Sequence, residues 1–215
     1  MTRVEARAGA RVPVTVVDYG AGNLVSIEQA LVTAGAEVRR AATADEIGQP
    51  ALLVVPGVGA SAPAMDRLRA GGFVPAILDW IAASRPFLGI CLGLQLLFQT
   101  SDEDGAATLG VLRGHTVRLD GAPTLPHIGW NQVERRFDHP AFAGIAPGAD
   151  FYFVHSYAGA PADDEVILAE TEHGTRFTAA VARGNLLGVQ FHPERSGTDG
   201  LRLVANVVRS AADAA

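Results

Sequence analysis

The sequence has little cysteine, little clustered charge and no long apolar run. One cysteine among 215 residues excludes an internal disulfide and fits a reducing compartment. The net charge is −6 and no arginine cluster offsets it, so we expect no nucleic-acid partner. No segment has the length and apolarity of a membrane span, and residues 1–11 lack the apolar centre of a signal peptide. We therefore expect a cytoplasmic protein without a membrane partner.

The composition is that of a globular protein with one sizeable core. Hydrophobic residues make up 48% of the 215 residues, which suffices for a single domain of this length. We predict a flexible N-terminal extension over residues 1–11 and one domain over residues 12–215.

Hydrophobic patterning predicts an α/β fold. Strands at 12–17, 36–41, 51–55 and 87–90 alternate with helices at 24–34, 64–70 and 73–84, an order typical of a parallel sheet with helices on both faces. Short strands follow after Gly105, which indicates an antiparallel or mixed portion in the second half. Their predicted ranges are 114–119, 129–134, 151–157, 166–171, 177–182 and 186–191. A helix over 201–210 ends the domain.

Cys91 stands where a predicted buried strand meets a predicted helix. Gly89 and Gly93 flank it at two positions on either side, which is the pattern of a nucleophile elbow with sulfur in place of a hydroxyl. The glycines allow a sharp turn, and the free N–H groups of the following helix favour the thiolate. A small buried structural cysteine is the alternative at this point.

A second motif, His192-Pro193-Glu194, follows the last predicted strand. In an extended chain, residues two apart face the same side, so Glu194 can orient the imidazole of His192. A cysteine nucleophile needs a base, and the base needs an orienting group. Cys91, His192 and Glu194 supply one of each, which favours a catalytic triad.

The two motifs together resemble those of the triad-type, or class I, glutamine amidotransferases. Within that family, four further segments are similar to the glutaminase subunits of imidazole glycerol phosphate synthase, from histidine biosynthesis. The resemblance runs from about Val14 to about Val208 and implies an open, mainly parallel, flavodoxin-like α/β sheet. The four segments are YGAGNL (19–24), LVVPGVGA (53–60), HIGWN (127–131) and YFVHSY (152–157).

Attack on a carboxamide places negative charge on its oxygen, so the site needs N–H donors aimed at that oxygen. The amide of Leu92, next to the nucleophile, is the expected first donor. We expect the second from Gly57-Val58-Gly59, where glycines permit an N–H to turn inward, although an ordinary tight turn is the alternative. The resemblance implies that this segment is an oxyanion strand that requires a peptide flip, so that activity depends on a partner.

The resemblance also implies the binding residues. Gln95 lies one helical turn after Cys91 and faces the same way, and the resemblance assigns it to the glutamine pocket, although a surface glutamine is the alternative. Ser156 and Tyr157 are expected to contact the substrate through their backbone. Asn23 is expected near a subunit interface. Arg195 stands where the family usually has lysine, so the charge at this interface is kept but its geometry is changed.

We expect no cofactor, and the sequence predicts no metal site. The six histidines are scattered without ligand spacing.

We expect an enzyme subunit that hydrolyses glutamine and passes ammonia to a cyclase subunit, with which it forms a heterodimer. The cyclase then makes imidazole glycerol phosphate and an aminoimidazole carboxamide ribotide. A glutaminase of another pathway, such as pyridoxal phosphate synthesis, is the nearest alternative, and Trp130-Asn131 argues against it. A cysteine peptidase or chaperone of a related fold would carry histidine after the cysteine, where Leu92 stands. A catalytically silent binding module is disfavoured by the intact triad.

Overall fold

The computed structural model describes residues 11–214, which form 12 β-strands and five α-helices. Apart from Arg11, the predicted extension over residues 1–11 lies outside these residues, and the division into extension and domain stays a prediction. In chain order the elements are β1 (Val12–Val17), α1 (Leu24–Thr33), β2 (Ala36–Ala41), β3 (Leu52–Gly57), α2 (Ser61–Ala70), α3 (Phe73–Ala82), β4 (Phe87–Cys91), α4 (Leu92–Gln95), β5 (Thr100–Ser101), β6 (Gly114–Arg118), β7 (His127–Arg135), β8 (Ala149–His155), β9 (Tyr157–Pro161), β10 (Ile167–Glu172), β11 (Arg176–Arg183), β12 (Leu186–Val189) and α5 (Gly197–Ala214).

Nine strands form one mixed sheet in the order β2-β1-β3-β4-β12-β11-β10-β7-β8. The first five of these run parallel, and the pairs from β12 to β8 are antiparallel. Strands β5, β6 and β9 form a small second sheet. The α/β class and the antiparallel portion in the second half are therefore confirmed.

Helices cover both faces of the parallel portion. All residues of β3 and β4 are buried, as expected for central parallel strands, which are continuously apolar because neither face meets water. One core contains α1 and α5, and the other contains α2 and α3. No helix in residues 11–214 is long and apolar enough to cross a membrane.

The boundaries of several elements differ from those predicted. The segment predicted as one strand over residues 151–157 is two, because β8 ends at His155 and β9 begins at Tyr157 in the other sheet. The short strand β5 and the first turn of α5 were missed by the sequence pattern.

The parallel strands bring the predicted site together at one edge. Cys91 ends β4, and Gly57, its register partner, ends β3. His192 follows β12, the strand that pairs with β4 on its other side. Ligands of open α/β sheets bind beyond these carboxyl ends.

Candidate active site

Cys91 occupies a strained corner between β4 and the single helical turn α4. Its backbone has φ +54° and ψ −106°, a conformation that L-residues rarely adopt and that recurs at functional sites. A Cβ on Gly89 would lie 2.6 Å from the carbonyl oxygen of Gly93, and one on Gly93 would overlap the carbonyl of Val55. Both glycines are therefore required by the close approach of strand and helix.

His192 and Glu194 form the pair that the sequence predicts, but not in an extended strand. β12 ends at Val189, and Pro193–Arg195 is a 3-10 turn. This turn brings Oε1 of Glu194 to 2.9 Å from Nδ1 of His192. The expectation of an extended chain was wrong because Pro193 starts a turn, which nevertheless achieves the same contact.

His192 is charged in this surrounding. Burial opposes its charge, but the neighbouring sulfur of Cys91 and the hydrogen-bonded carboxylate of Glu194 outweigh burial and raise the pKa of His192 to about 10. Nε2 of His192 is buried and makes no hydrogen bond of normal geometry in the resting site. Glu194 thus holds the imidazolium through Nδ1, and Nε2 remains available to interact with Cys91.

A cavity of about 200 Å³ opens beside Cys91. Six residues expected at the site line it: Val58, Gly59, Leu92, Gln95, Ser156 and Tyr157. Its volume and its open side suit a small polar substrate whose reacting carbon must reach the sulfur.

Gly57 is the one expected binding residue that does not line this cavity. It lies within β3, and a Cβ at this position would overlap the hydroxyl of Tyr19 and press on Leu92. That hydroxyl is buried without a hydrogen-bond partner, and burial, followed by the charge of Cys91, raises the pKa of Tyr19. Gly57 therefore lets Tyr19 pack under the end of β3, directly before Val58.

Gln190 is a fully buried polar side chain that sequence reasoning missed. Its Nε2 lies 3.6 Å from Sγ of Cys91, and its Oε1 accepts from Nε2 of Gln95 at 3.1 Å. The contact joins positions 95 residues apart, so no local pattern could indicate it.

Glu103 is another missed residue, and among residues 11–214 it provides the only carboxylate in the wall of the Cys91 cavity. Partial burial, and then the nearby Asp104, raise the pKa of Glu103. Asp104 fixes this loop by accepting from the backbone N–H groups of Ala62 at 2.6 Å and Ala106 at 3.1 Å. The loop has no periodicity, which is why the sequence pattern did not identify it.

Three histidines that are scattered in the sequence converge beside the cavity. His127 and His155 are register partners on β7 and β8, with Nδ1 and Nε2 3.4 Å apart, and His173 stacks on His127. Burial lowers the pKa of His127 to about 4 and that of His155 to about 3, so both are neutral near pH 7. Across residues 11–214, no group of three candidate ligands is arranged to hold a metal ion.

The two residues expected at an interface, Asn23 and Arg195, are exposed. Asn23 precedes α1 and donates to Ser26 Oγ at 3.0 Å. The guanidinium of Arg195 lies 4.2 Å from the ring centre of Tyr152, whose ring packs edge-on against Trp130.

The family model for glutamine amidotransferase class-I matches residues 15–210. The imidazole glycerol phosphate synthase subunit HisH of Moorella thermoacetica is 47% identical over 208 residues, which span 94% of this chain and 98% of that protein. The protein of the same name from Chloroflexus aurantiacus is 45% identical, with 91% and 95% covered.

Solved structures share the fold at low identity. A structure described as a glutamine amidotransferase superposes with a TM-score of 0.74 at 20% identity and covers 93% of this chain and 98% of its own. The structure of PurLQS from Thermotoga maritima gives a TM-score of 0.73 at 19% identity, with 93% and 99% covered.

Proposed function

The chain belongs to the class-I glutamine amidotransferase family, and we propose that it is the glutaminase subunit of an imidazole glycerol phosphate synthase. It hydrolyses glutamine to glutamate and ammonia and delivers the ammonia to a cyclase subunit. There the ammonia enters imidazole glycerol phosphate, with release of aminoimidazole carboxamide ribotide. The observation that carries the proposal is the arrangement of Cys91, His192 and Glu194. It occurs in a chain that is 42–47% identical to proteins named imidazole glycerol phosphate synthase subunit HisH.

In the first half-reaction, the thiolate of Cys91 attacks the side-chain carbonyl carbon of glutamine and forms a C–S bond. The resulting oxyanion is stabilised by backbone N–H groups, for which Leu92 and the Val58-Gly59 segment, both in the cavity wall, are the proposed source. His192 donates a proton to the leaving nitrogen as the C–N bond breaks, and ammonia departs. The product is a glutamyl thioester on Cys91.

In the second half-reaction, water hydrolyses the thioester. His192, now neutral, accepts a proton from the water as its oxygen attacks the thioester carbon. The C–S bond breaks, glutamate leaves, and the Cys91 thiolate and the charged imidazole are restored. Glu194 accepts from Nδ1 of His192 and holds the imidazole in place.

The cavity walls suit the two ends of glutamine. We propose that Glu103, the carboxylate of the wall, binds the α-ammonium group, which places the side-chain amide toward Cys91. Gln95 is buried, and its amide is fixed by the carbonyl of Tyr157 at 2.7 Å. Ser156 and Tyr157 offer backbone groups on the same wall.

The surface beside the triad suits a protein partner. Trp130 is 56% exposed and Ile128 is 60% exposed, two residues away on the same face of β7. Exposed aromatic and arginine side chains of this kind are enriched at interfaces. We propose that Trp130, Arg195 and Asn23 contact the cyclase subunit.

Reconstitution with a cyclase subunit tests the proposal. The purified chain is mixed with the cyclase of a relative's synthase, and complex formation, glutamate release and cyclase product are measured together. The proposal requires a one-to-one complex that makes product from glutamine. A chain that binds no cyclase, or that releases no glutamate within the complex, would overturn it.

A further inference from the structure

Gln190 places an amide group against the sulfur of Cys91. The residue is fully buried, and its backbone N–H is bonded to the carbonyl of Ala179 at 2.8 Å. Its side chain reaches Sγ of Cys91 at 3.6 Å, a distance that suits an N–H to sulfur hydrogen bond. The triad mechanism assigns no role to the side-chain amide of Gln190.

The direction of this hydrogen bond is set by a chain of amides that starts at the backbone. The carbonyl of Tyr157 can only accept, so Gln95 must present its NH₂ group to it, at 2.7 Å. The same nitrogen donates to Gln190 at 3.1 Å, so Gln190 must present its oxygen to Gln95. Its NH₂ group is thereby turned toward Cys91.

We propose that Gln190 is a thiolate-stabilising residue, which donates a hydrogen bond to Sγ of Cys91 and is held in the donating orientation by Gln95 and the Tyr157 carbonyl. The inference rests on the proposed function in that Cys91 is the nucleophile. A hydrogen bond to a charged sulfur is stronger than one to a neutral thiol, so this donor favours the reactive form. Once the thioester forms, the sulfur loses its charge and the interaction weakens.

Several other groups act on the same sulfur. The charged His192 faces it from the turn after β12 and also favours the thiolate. Tyr19 faces it from the loop after β1, with Arg67 acting in turn on Tyr19. Glu103 and the neutral His155 lie farther along the cavity wall. Gln190 differs from these groups because its amide does not titrate, so the donor itself is in the same state at every pH.

Alkylation of the single cysteine measures this effect without any glutamine chemistry. The rate of reaction of Cys91 with iodoacetamide is followed from about pH 5 to pH 10 in the full chain and in Gln190→Leu. We expect the midpoint pH to rise by about one unit in the variant, and the rate well below the midpoint to fall about tenfold. At high pH, where every thiol is ionised, the two rates converge.

Two further variants separate this role from packing. Gln190→Met keeps the side chain's length without a donor and gives the same shift, and it also serves where the leucine variant does not fold. Gln132→Leu removes an exposed glutamine whose side chain donates to Asp150 and leaves the midpoint unchanged.

An unchanged midpoint in folded Gln190→Leu and Gln190→Met would overturn the inference, and so would a rate lowered equally at every pH, since that indicates altered access. Neither result affects the proposed function, which is tested by product formation in the complex. Conversely, a chain without glutaminase activity can still show the midpoint shift.

Discussion

Nδ1 of His192 lies 2.9 Å from Oε1 of Glu194, across a turn in which Pro193 alone separates the two residues. The bond holds the imidazole so that Nε2, the nitrogen without another partner, is available to Cys91. Glu194 thus orients the base, and the proton passes through His192.

Because His192 transfers the proton and Glu194 only orients the imidazole, substitutions at the two positions are predicted to lower kcat/KM by different amounts. His192→Ala removes the group that transfers the proton and lowers kcat/KM by about 10⁴-fold, whereas Glu194→Gln keeps a hydrogen-bonding group of the same size and lowers it by about 10²-fold. Steady-state glutamine hydrolysis by the complex measures both. A larger loss in Glu194→Gln than in His192→Ala would contradict these roles.

The raised pKa of His192 predicts a pH-dependent stability. Because the folded-state value is about 10 and the ordinary value is about 6.5, the charged imidazole stabilises the fold. This contribution is complete below about pH 6.5 and is lost as the pH rises through about 10. Glu194→Gln removes one of the groups that raise the pKa, so the variant loses less stability over that range. Urea unfolding of both proteins from about pH 6 to pH 10 measures the difference, and parallel curves would refute the assignment.

Glu103 is predicted to act in substrate binding. Glu103→Gln removes the charge that faces the α-ammonium group, and because the side chain is largely exposed, KM for glutamine rises by only about fivefold with little change in kcat. Glu37→Gln, an exposed carboxylate on the distant edge strand β2, serves as the matched control. Equal KM values in the two variants would exclude this role for Glu103.

Local chemistry made the elbow and several strands predictable. The strands at 12–17 and 36–41 match β1 and β2 at both ends. β1 is a short run rich in β-branched residues, and the more polar β2 begins directly after Gly35, which ends the preceding helical segment. Cys91 was identifiable because Gly89 and Gly93 are needed at fixed spacing for the same turn. The family resemblance and the fold class are likewise confirmed.

Long-range contacts were not predictable from one sequence. The amide chain from Tyr157 through Gln95 to Gln190 depends on three segments that meet only after the sheet has formed. Likewise, His127, His155 and His173 converge through the pairing of β7 with β8 and through packing of a later loop. Periodicity reports which face of an element is buried, and it carries no information on which element lies opposite.

Coupling to the cyclase is predicted to act on kcat. Gly57 and Gly59 flank Val58, so its peptide planes rotate at little cost, and Gly59 already has φ +95°. Where the loop turns one N–H away from the oxyanion, the rate is about 10²- to 10³-fold lower. We expect ligand-bound cyclase to raise kcat by that order and to change KM much less, because ground-state binding does not use this donor. Equal kcat for the lone chain and the complex, with and without cyclase substrate, would refute this control.

The most direct test of the account is the activity of Cys91→Ser in complex with the cyclase, assayed with glutamine and, separately, with ammonium salt. Serine keeps the elbow but lacks the ready ionisation of a thiol. The account predicts an intact complex in which glutamine-dependent product formation is abolished and ammonia-dependent formation is retained. Full glutamine-dependent activity in Cys91→Ser would contradict the assignment of Cys91 as the nucleophile.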